Sequence, residues 1–599
     1  MLKRRHASAA LCLSVLLAAG AGGRAARAQV LADKVPADAL IYAGWAGSDA
    51  LGPAYDGSHL KAFLETLNLP AFIGQQVNQA LASQTDPQKA EQSKFGLDML
   101  SAVAKSPTAF YFGPLDYSLN PAQPAPRIAI ISQVGKAQAQ PLATRLNAAL
   151  TLNHKPGQPD SAAVAAGDFL LVYVGDANLQ DRLTGAAATA LTLADSDKFK
   201  KAFGALGPNA SRAAATLYFD GQATSEMLAA GVQAGTNLQA RQTYPALADG
   251  LGLNSLQQVA WAGNFDGADW EATTFLGMRD RRTGVLALFD NPPLSQESLK
   301  LIPKSATSAG AFRFDGMRLL DDITTTAAKL SDQAPKQIET ALTNIYVWSG
   351  IDLKRELLPA FGDEFVCYGS PEGAGNSLRG FVLANRLRDP AKAQSAVAAI
   401  ENFTNLLITQ RNPNSKVQFQ AKALPAPWDK VTAHVMTLEK VTPAWAINDG
   451  VFFLALSLPG LQSALEMTAG NKPSILDNPQ FVAVRQKLGH ESFAAFTYAD
   501  LVAGVPETYE LFNLILTGAQ ARNPNPQAYV LPPLNKITPA LGPSMRVSWT
   551  DEQGYHAKET SPFPLAGYLA PTRYIGLLFL PQNQQRGTPA APARDPGLP

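Results

Sequence analysis

Apolar and polar residues follow two different periods along this chain. Short runs rich in β-branched and aromatic residues, such as 169–174, are typical of β-strands. Between such runs, apolar residues return at every third or fourth position over 140–150 and 391–407, and this spacing predicts amphipathic helices. Asp389 and Pro390 supply an N-cap and a first-turn proline for the second of these helices.

Two segments predict hairpins. Residues 259–275 reverse at Asp266-Gly267, and residues 545–558 reverse at Gln553-Gly554, each with the glycine that tight turns favour. A hairpin forces its two strands to pair antiparallel. Because no doubly wound or barrel period appears, the pattern predicts an α+β protein in which helices pack on mainly antiparallel sheets.

The chain also repeats itself. Val35-Pro36-Ala37-Asp38-Ala39 has the same shape as Ile302-Pro303-Lys304-Ser305-Ala306, and each segment precedes an apolar strand. Further matches follow in the same order: Phe112-Gly113 with Tyr368-Gly369, which sets Cys367 opposite Tyr111, then Phe199 with Phe481, Tyr218-x-Asp220 with Tyr498-x-Asp500, and Val259-x-Trp261 with Val547-x-Trp549. We therefore expect two homologous halves, each a mainly antiparallel sheet with helices packed on it.

The repeat divides the chain into residues 29–295 and residues 296–570, called the first and second half below. Residues 571–599 form a C-terminal extension. From about residue 582 this extension is mostly Pro, Gly, Ala, Arg and Gln, a composition with little to bury. We predict that this last part is disordered.

Residues 1–28 have the order of a secretory signal peptide. A basic cluster at 3–5 is followed by an apolar run at 9–19, and Ala26-Arg27-Ala28 places small residues before the cleavage point. The apolar run is too short to span a bilayer, which takes about 20 residues. We predict cleavage after Ala28, a periplasmic or secreted protein, and no transmembrane span once the leader is removed.

The balance of charged residues argues against nucleic acid as a partner. The chain has 50 Lys and Arg against 49 Asp and Glu, a formal net charge of +1. A nucleic-acid-binding protein usually carries a clear excess of basic residues. We predict no nucleic-acid partner.

Motifs for metal and cofactor chemistry are missing from the sequence. Five histidines follow the leader and stand apart from one another: His59, His154, His434, His490 and His556. Metal sites need ligands at characteristic spacing, and the chain has neither a Gly-x-Gly-x-x-Gly loop nor a phosphate loop. We predict no metal and no cofactor. Cys367 lies in the apolar run 364–368, which favours a buried, inert thiol over a nucleophile.

Asp220 and Asp500 occupy matching positions, each directly after an apolar strand. They could be catalytic carboxylates, or each could cap the helix that follows, because aspartate accepts hydrogen bonds from the first free N–H groups of a helix. Repetition favours capping, since residues placed twice usually serve the repeated fold. No catalytic residue is therefore predicted.

One segment departs from the repeat. Residues 44–59 join the first strand to a helix, whereas the second half reaches its helix directly through Asp315-Gly316. The inserted residues are glycine-rich and include Trp45, Asp49, Tyr55, Asp56 and His59. Aromatic and polar residues among glycines are typical of a recognition loop. The alternative is an ordinary lid over the end of the sheet.

Several of these segments resemble a known family. The opening segment 35–39, the segments 445–455 and 476–481, and Tyr498-x-Asp500 are similar to a bacterial family of exported proteins defined only as a domain of unknown function. The resemblance implies export and a duplicated unit. It brings no catalytic residue with it.

Three functions fit these observations. The leading hypothesis is an exported, non-enzymatic binding or structural protein of the cell envelope, with an unknown envelope or extracellular partner. The second is a hydrolase whose site is assembled between the two halves from dispersed Asp, Glu or His residues. The third is a carrier of an apolar ligand, which needs an internal cavity.

Overall fold

The computed structural model describes residues 29–72, 74–75, 86–116, 124–153, 161–175, 180–181, 191–279, 282–372, 378–438, 441–470, 472–522 and 530–566. The predicted signal peptide at 1–28, His154 and the predicted C-terminal extension at 571–599 lie outside these residues.

Eighteen strands are present in the described part of the chain. The first half holds β1 Ile41–Trp45, β2 Thr108–Asp116, β3 Ala125–Ser132, β4 Ser161–Ala166, β5 Phe169–Val174, β6 Ala215–Asp220, β7 Leu256–Asp266 and β8 Asp269–Met278. The second half holds β9 Ser308–Arg313, β10 Phe361–Gly369, β11 Phe381–Leu387, β12 Phe419–Ala423, β13 Thr432–Met436, β14 Ala444–Asn448, β15 Val451–Ala455, β16 Ala495–Asp500, β17 Pro543–Thr550 and β18 Gly554–Ser561.

Helices connect these strands. The first half contains α1 Gly52–Asp56, α2 His59–Thr66, α3 Pro87–Lys105, α4 Lys136–Asn153, α5 Asp197–Ala205, α6 Gly221–Ala234 and α7 Leu238–Leu251. The second half contains α8 Gln296–Leu299, α9 Gly316–Leu330, α10 Ala334–Ser349, α11 Leu358–Ala360, α12 Pro390–Arg411, α13 Leu458–Thr468, α14 Pro479–Leu488, α15 Leu501–Arg522 and α16 Leu534–Ile537. Together with the strands they confirm the α+β prediction.

Local signals in the sequence explain several element boundaries. The carboxylate of Asp389 accepts hydrogen bonds from the backbone N–H groups of Ala391 and Lys392, both at 3.1 Å, and so begins α12 where the Asp-Pro pair predicts it. Gly267 has a φ of 60° in the turn between β7 and β8, a left-handed conformation that favours glycine. The predicted hairpin at this turn is confirmed.

All described strands join one antiparallel sheet that runs through both halves. Across the first half the order is β4-β5-β3-β2-β1-β6-β7-β8. From β18 it continues as β17-β16-β9-β10-β11-β15-β14-β13-β12. Strands β8 and β18 pair at the junction. Apart from the additional hairpin β12–β13, the second half repeats the strand order of the first.

Register shows which positions of the two halves are equivalent. Tyr42 pairs with Tyr111, and the corresponding pair of the second half is Ala309 with Tyr368. Tyr368, and not Cys367, therefore occupies the position of Tyr111, so the sequence alignment is wrong by one residue here. A slip of one residue turns a side chain to the other face of the sheet. This difference explains why Cys367 does not share the environment of Tyr111.

The hairpin alignment also needs correction. Trp261 lies opposite Leu217, and Arg546 lies opposite Thr497 in the matching strands. Arg546 is therefore the structural equivalent of Trp261, and the predicted match with Trp549 is wrong by three residues. In β7 the buried positions are Ala260 and Ala262, whereas the larger Val259 and Trp261 lie on the other face. Because both faces of the strand carry apolar residues, matching residue types placed Val259 opposite the buried Val547 on the wrong face.

The two cores are centred on equivalent aromatic contacts. In α5, Phe199 and Phe203 are buried at helical spacing. Phe199 lies edge-on to Tyr218, with ring centroids 5.1 Å apart, and Phe481 of α14 lies edge-on to Tyr498 at 5.4 Å. All of these rings are buried. Such aromatic pairs stabilise by about 0.5–1.5 kcal/mol beyond the area they bury.

At each outer edge of the sheet, an asparagine side chain caps the backbone of one edge-strand residue. Asn147 of α4 accepts a hydrogen bond from the backbone N–H of Ala163 in β4 at 2.7 Å and donates its amide to the carbonyl of the same residue. At the other end, Asn405 of α12 accepts from the N–H of Phe419 in β12 at 2.7 Å and donates to its carbonyl at 3.3 Å. Side-chain amides thus replace a neighbouring strand, which protects edges that would otherwise recruit one.

Candidate functional site

The predicted recognition loop folds down onto the first half. Trp45 donates its indole N–H to the carbonyl of Ala104 at 2.7 Å. Tyr55 is 6% exposed and packs edge-on against Phe265 at 5.5 Å between ring centroids. These two aromatic side chains make internal contacts, as expected for a lid over the sheet.

The polar residues of the same loop lie apart from one another. Asp49 is exposed, and Asp56 pairs with Lys61 of α2 at 2.7 Å. His59 turns away from both and places its Nδ1 3.0 Å from a carboxylate oxygen of Asp269. The structure therefore does not bring the five loop residues to one point.

His59 belongs instead to a polar cluster between the halves. Lys487, on α14 of the second half, lies 2.9 Å from Asp269, 3.8 Å from Asp266 and 3.9 Å from Glu271, all on the β7–β8 hairpin of the first half. One ammonium group thus faces three carboxylates. The cluster links the inserted segment, the hairpin and the second half.

Burial, reinforced by the neighbouring Asp266, raises the pKa of Glu271. A carboxyl group that keeps its proton to higher pH can donate a hydrogen bond or act as an acid. Within the described ranges, no group of three or more His, Cys, Asp or Glu side chains is arranged to hold a metal ion. Proton transfer is the chemistry that this cluster could support.

Asp220 and Asp500 both cap helices. The Asp220 carboxylate accepts a hydrogen bond from the N–H of Ala223 at 2.8 Å, and the Asp500 carboxylate accepts one from the N–H of Ala503 at 3.1 Å. Asp220 additionally lies 3.1 Å from the ammonium group of Lys198. The capping interpretation is therefore confirmed at both positions.

Cys367 is a free thiol that is partly buried, not fully buried as the sequence predicts. Burial raises the pKa of its Sγ group above the ordinary value. Because the thiolate is the nucleophilic form, this shift disfavours reactivity near neutral pH.

A cleft in the second half was not predicted from the sequence. It has a volume of about 240 Å³ and lies between the segment 314–316 that follows β9, strand β10 and α11. Its apolar wall consists of Phe314, Leu357, Leu358, Phe361 and Phe365. Phe314 is 41% exposed, and Phe312, which stacks on Phe365 at 5.8 Å, is 43% exposed. Apolar rings of this size are usually buried. The exposed rings of Phe312 and Phe314 therefore make this surface a candidate binding site.

Charged residues surround the mouth of the cleft. Arg388 lies 3.6 Å from Asp363 and 4.0 Å from Asp315. Asp315 also caps α9 by accepting hydrogen bonds from the N–H groups of Met317 and Arg318 at 3.0 and 3.1 Å. An apolar interior with a few polar groups at the mouth is the usual composition of a ligand site.

The repeat supplies a signal that could have identified this cleft. By register, Phe312 corresponds to Trp45 and Phe365 corresponds to Thr108. Trp45 is held by a hydrogen bond to α3, whereas Phe312 stays partly exposed. The sequence Phe312-Arg313-Phe314 places two aromatic residues on one side of a strand end, and no requirement of the repeated fold explains them.

Fold and topology define the class: an α+β protein whose helices pack on one long antiparallel sheet. The chain belongs to the family described as "Protein of unknown function (DUF3352)", whose model matches residues 132–544. No curated protein and no solved structure matches the chain. In the part of the chain described here, no helix is both long enough and apolar enough to cross a bilayer.

Proposed function

We propose that this protein is an exported, non-enzymatic binding protein of the cell envelope or extracytoplasmic space, periplasmic or secreted. The observation that carries the proposal is the aromatic cleft, with Phe314, Phe361 and Phe365 in its wall. Asp220 and Asp500, which resemble catalytic carboxylates in the sequence, cap helices in the structure. Export is supported by the order of residues 1–28.

The proposal includes two homologous halves that arose by duplication. Three kinds of observation support it: the repeated strand order, the equivalent caps Asp220 and Asp500, and the matching β-bridges of Pro36 with Thr192 and Pro303 with Ser474. In this view the first half keeps the ancestral framework. The second half has gained the aromatic residues of the cleft.

A size-matched pair of substitutions tests the cleft. Leu358→Trp fills it, whereas Met227→Trp fills a separate cleft of about 370 Å³ in the first half. We expect calorimetric titration of the mature chain with hexanol to show one site, lost in Leu358→Trp and kept in Met227→Trp. Equal binding by both variants, or loss in both, would contradict the assignment. Unfolding midpoints of the two variants verify that each is folded.

A hydrolase is the second candidate, because the inter-half cluster contains a carboxyl group with a raised pKa, that of Glu271. Asp269 and Asp266 lie beside it with Lys487. Screening the mature chain and Glu271→Gln against ester, peptide and glycoside substrates tests this candidate. Turnover abolished by Glu271→Gln at unchanged stability would favour the hydrolase over the binding protein.

A further inference from the structure

The wall of the cleft is aromatic on more than one side. Phe361 and Phe365 are nearly parallel, with ring centroids 6.5 Å apart, and Phe314 stands at 64° to Phe365 at 6.4 Å. The face of an aromatic ring carries negative electrostatic potential and attracts cations. Rings set at different angles around a small space form the kind of cage that receives an ammonium group.

Three charged side chains line the cleft: the carboxylates of Asp315 and Asp363 and the guanidinium group of Arg388. Arg313 is engaged by both Asp363 and Glu364 and is nearly buried. Carboxylates thus outnumber cations by two to one among the lining residues, which favours a cation over an anion.

Arg388 is held loosely at the mouth. Its side chain is 48% exposed, and its distances of 3.6 Å to Asp363 and 4.0 Å to Asp315 are longer than those of a close hydrogen-bonded pair. Exposed pairs of this kind contribute little to stability. A ligand cation can therefore displace the guanidinium group into solvent and take its place between the two carboxylates.

We propose that the cleft binds small organic cations that combine an ammonium group with a short apolar body, such as alkylammonium ions. This assignment rests on the proposed function, since it names the ligand class of the same cleft. The apolar body contacts Leu357, Leu358 and the phenylalanine rings, and the ammonium group lies between Asp315 and Asp363. The volume of about 240 Å³ is below the range of about 300 Å³ and more for drug-sized ligands, so the ligand is small.

Three probes with the same alkyl chain test the charge preference: hexyltrimethylammonium, hexanol and hexanoate. Calorimetric titration of the mature full-length chain should give an affinity for the cation about tenfold above that for hexanol. Hexanoate should bind more weakly than hexanol. Leu358→Trp should remove binding of the cation, which locates it in the cleft.

Asp315→Asn removes a negative charge from the cleft but keeps a side chain that can cap α9. Asparagine caps a helix as well as aspartate does, so α9 should remain folded while the cleft loses one negative charge. We expect the advantage of the cation over hexanol to fall severalfold. Asp500→Asn makes the same change at the cap of α15, beside Thr307 at the end of β9 opposite the cleft, and should leave all three affinities unchanged.

The outcomes distinguish this inference from the proposal beneath it. If hexanol binds at the cleft as tightly as the cation, or hexanoate binds best, the cation assignment is wrong and the apolar binding function stands. If no probe binds, both are wrong. If Asp315→Asn keeps the full preference for the cation at unchanged stability, the carboxylates do not select the ligand and the assignment is again overturned.

Discussion

Thr273 and Lys558 pair with each other at the centre of the sheet, and they occupy equivalent positions in the two halves. Thr274 pairs with Trp261, and Glu559 pairs with Arg546, the structural equivalent of Trp261. The residues preceding them, Thr273 and Lys558, are therefore equivalent as well, and they face one another across β8 and β18. Self-pairing of equivalent positions is the geometry of a two-fold axis. The two halves thus meet as two copies of one subunit would.

The pairing of Thr273 with Lys558 predicts that a positive charge at position 273 destabilises the protein. Thr273→Lys places a second ammonium group directly opposite Lys558, and like charges across a strand pair are unfavourable, by about 0.2–1 kcal/mol. Thr273→Gln, similar in length but uncharged, should cost less. Denaturant unfolding at low and high salt provides the measurement. The difference between the two variants should shrink at high salt, and a difference independent of salt would refute the electrostatic explanation.

The two caps should respond alike to alanine. Asp220→Ala and Asp500→Ala should each lower the free energy of unfolding by about 0.5–2 kcal/mol. Asp500→Asn should be nearly neutral because asparagine also caps. Asp220→Asn should cost slightly more, since Asp220 also pairs with Lys198. Denaturant unfolding of the four variants tests this prediction. Equal free energies of unfolding for the alanine and asparagine variants at either position would rule out capping there.

The asparagine at the β4 edge should limit self-association. Asn147→Ala leaves the N–H and carbonyl of Ala163 without their side-chain partner, and an open strand edge recruits another strand. We expect a loss of about 1–3 kcal/mol together with oligomers in light scattering. Asn237→Ala, which removes the cap of α7, is the control. It should destabilise without forming oligomers, and a monomeric Asn147→Ala would show that the edge is protected in another way.

The raised pKa of Glu271 predicts a pH dependence. The folded protein keeps this proton at pH values where the unfolded chain, with an ordinary Glu pKa of about 4.3, has released it. Stability therefore falls as pH rises through that window. Glu271→Gln cannot ionise, so its stability relative to the parent should be greater at pH 7.5 than at pH 4.

Glu297 provides a control of opposite sign. Its hydrogen bond to Lys300 lowers its pKa, so its contribution is present above the ordinary Glu pKa and is lost as pH falls. Glu297→Gln should accordingly become less unfavourable as pH falls, opposite to the trend for Glu271→Gln. Unfolding curves at pH 4, 6 and 7.5 test both. A flat pH profile for Glu271→Gln would contradict the assigned cause.

Export should release a chain that begins at Gln29. Small residues at Ala26 and Ala28 fit the cleavage site. N-terminal sequencing of protein recovered from the extracytoplasmic fraction is the measurement. Ala28→Arg should retard cleavage, and a product that retains Met1 and pellets with membranes would disprove the prediction.

The sequence alone determined the features that depend on neighbouring residues. The helix starts at Asp389 and Asp500, the turn at Gly267 and the strands around Tyr218 and Tyr498 follow from hydrogen bonding and side-chain periodicity within a few positions. Matching aromatic and capping residues, such as Tyr218 with Tyr498 and Asp220 with Asp500, were also visible in the sequence.

Tertiary structure decided what depends on contacts distant in the chain. The register that makes Tyr368 the equivalent of Tyr111 is set by cross-strand pairing. Aromatic residues stand on both faces of β2, so residue type alone did not show which of them faces the core. His59 meets Asp269 because the inserted segment packs on the β7–β8 hairpin, and Lys487 reaches the same carboxylate because β8 and β18 join the halves. The aromatic cleft arises because the segment after β9 meets β10 and α11. No local period encodes which phenylalanine remains exposed when segments that are far apart in sequence pack together.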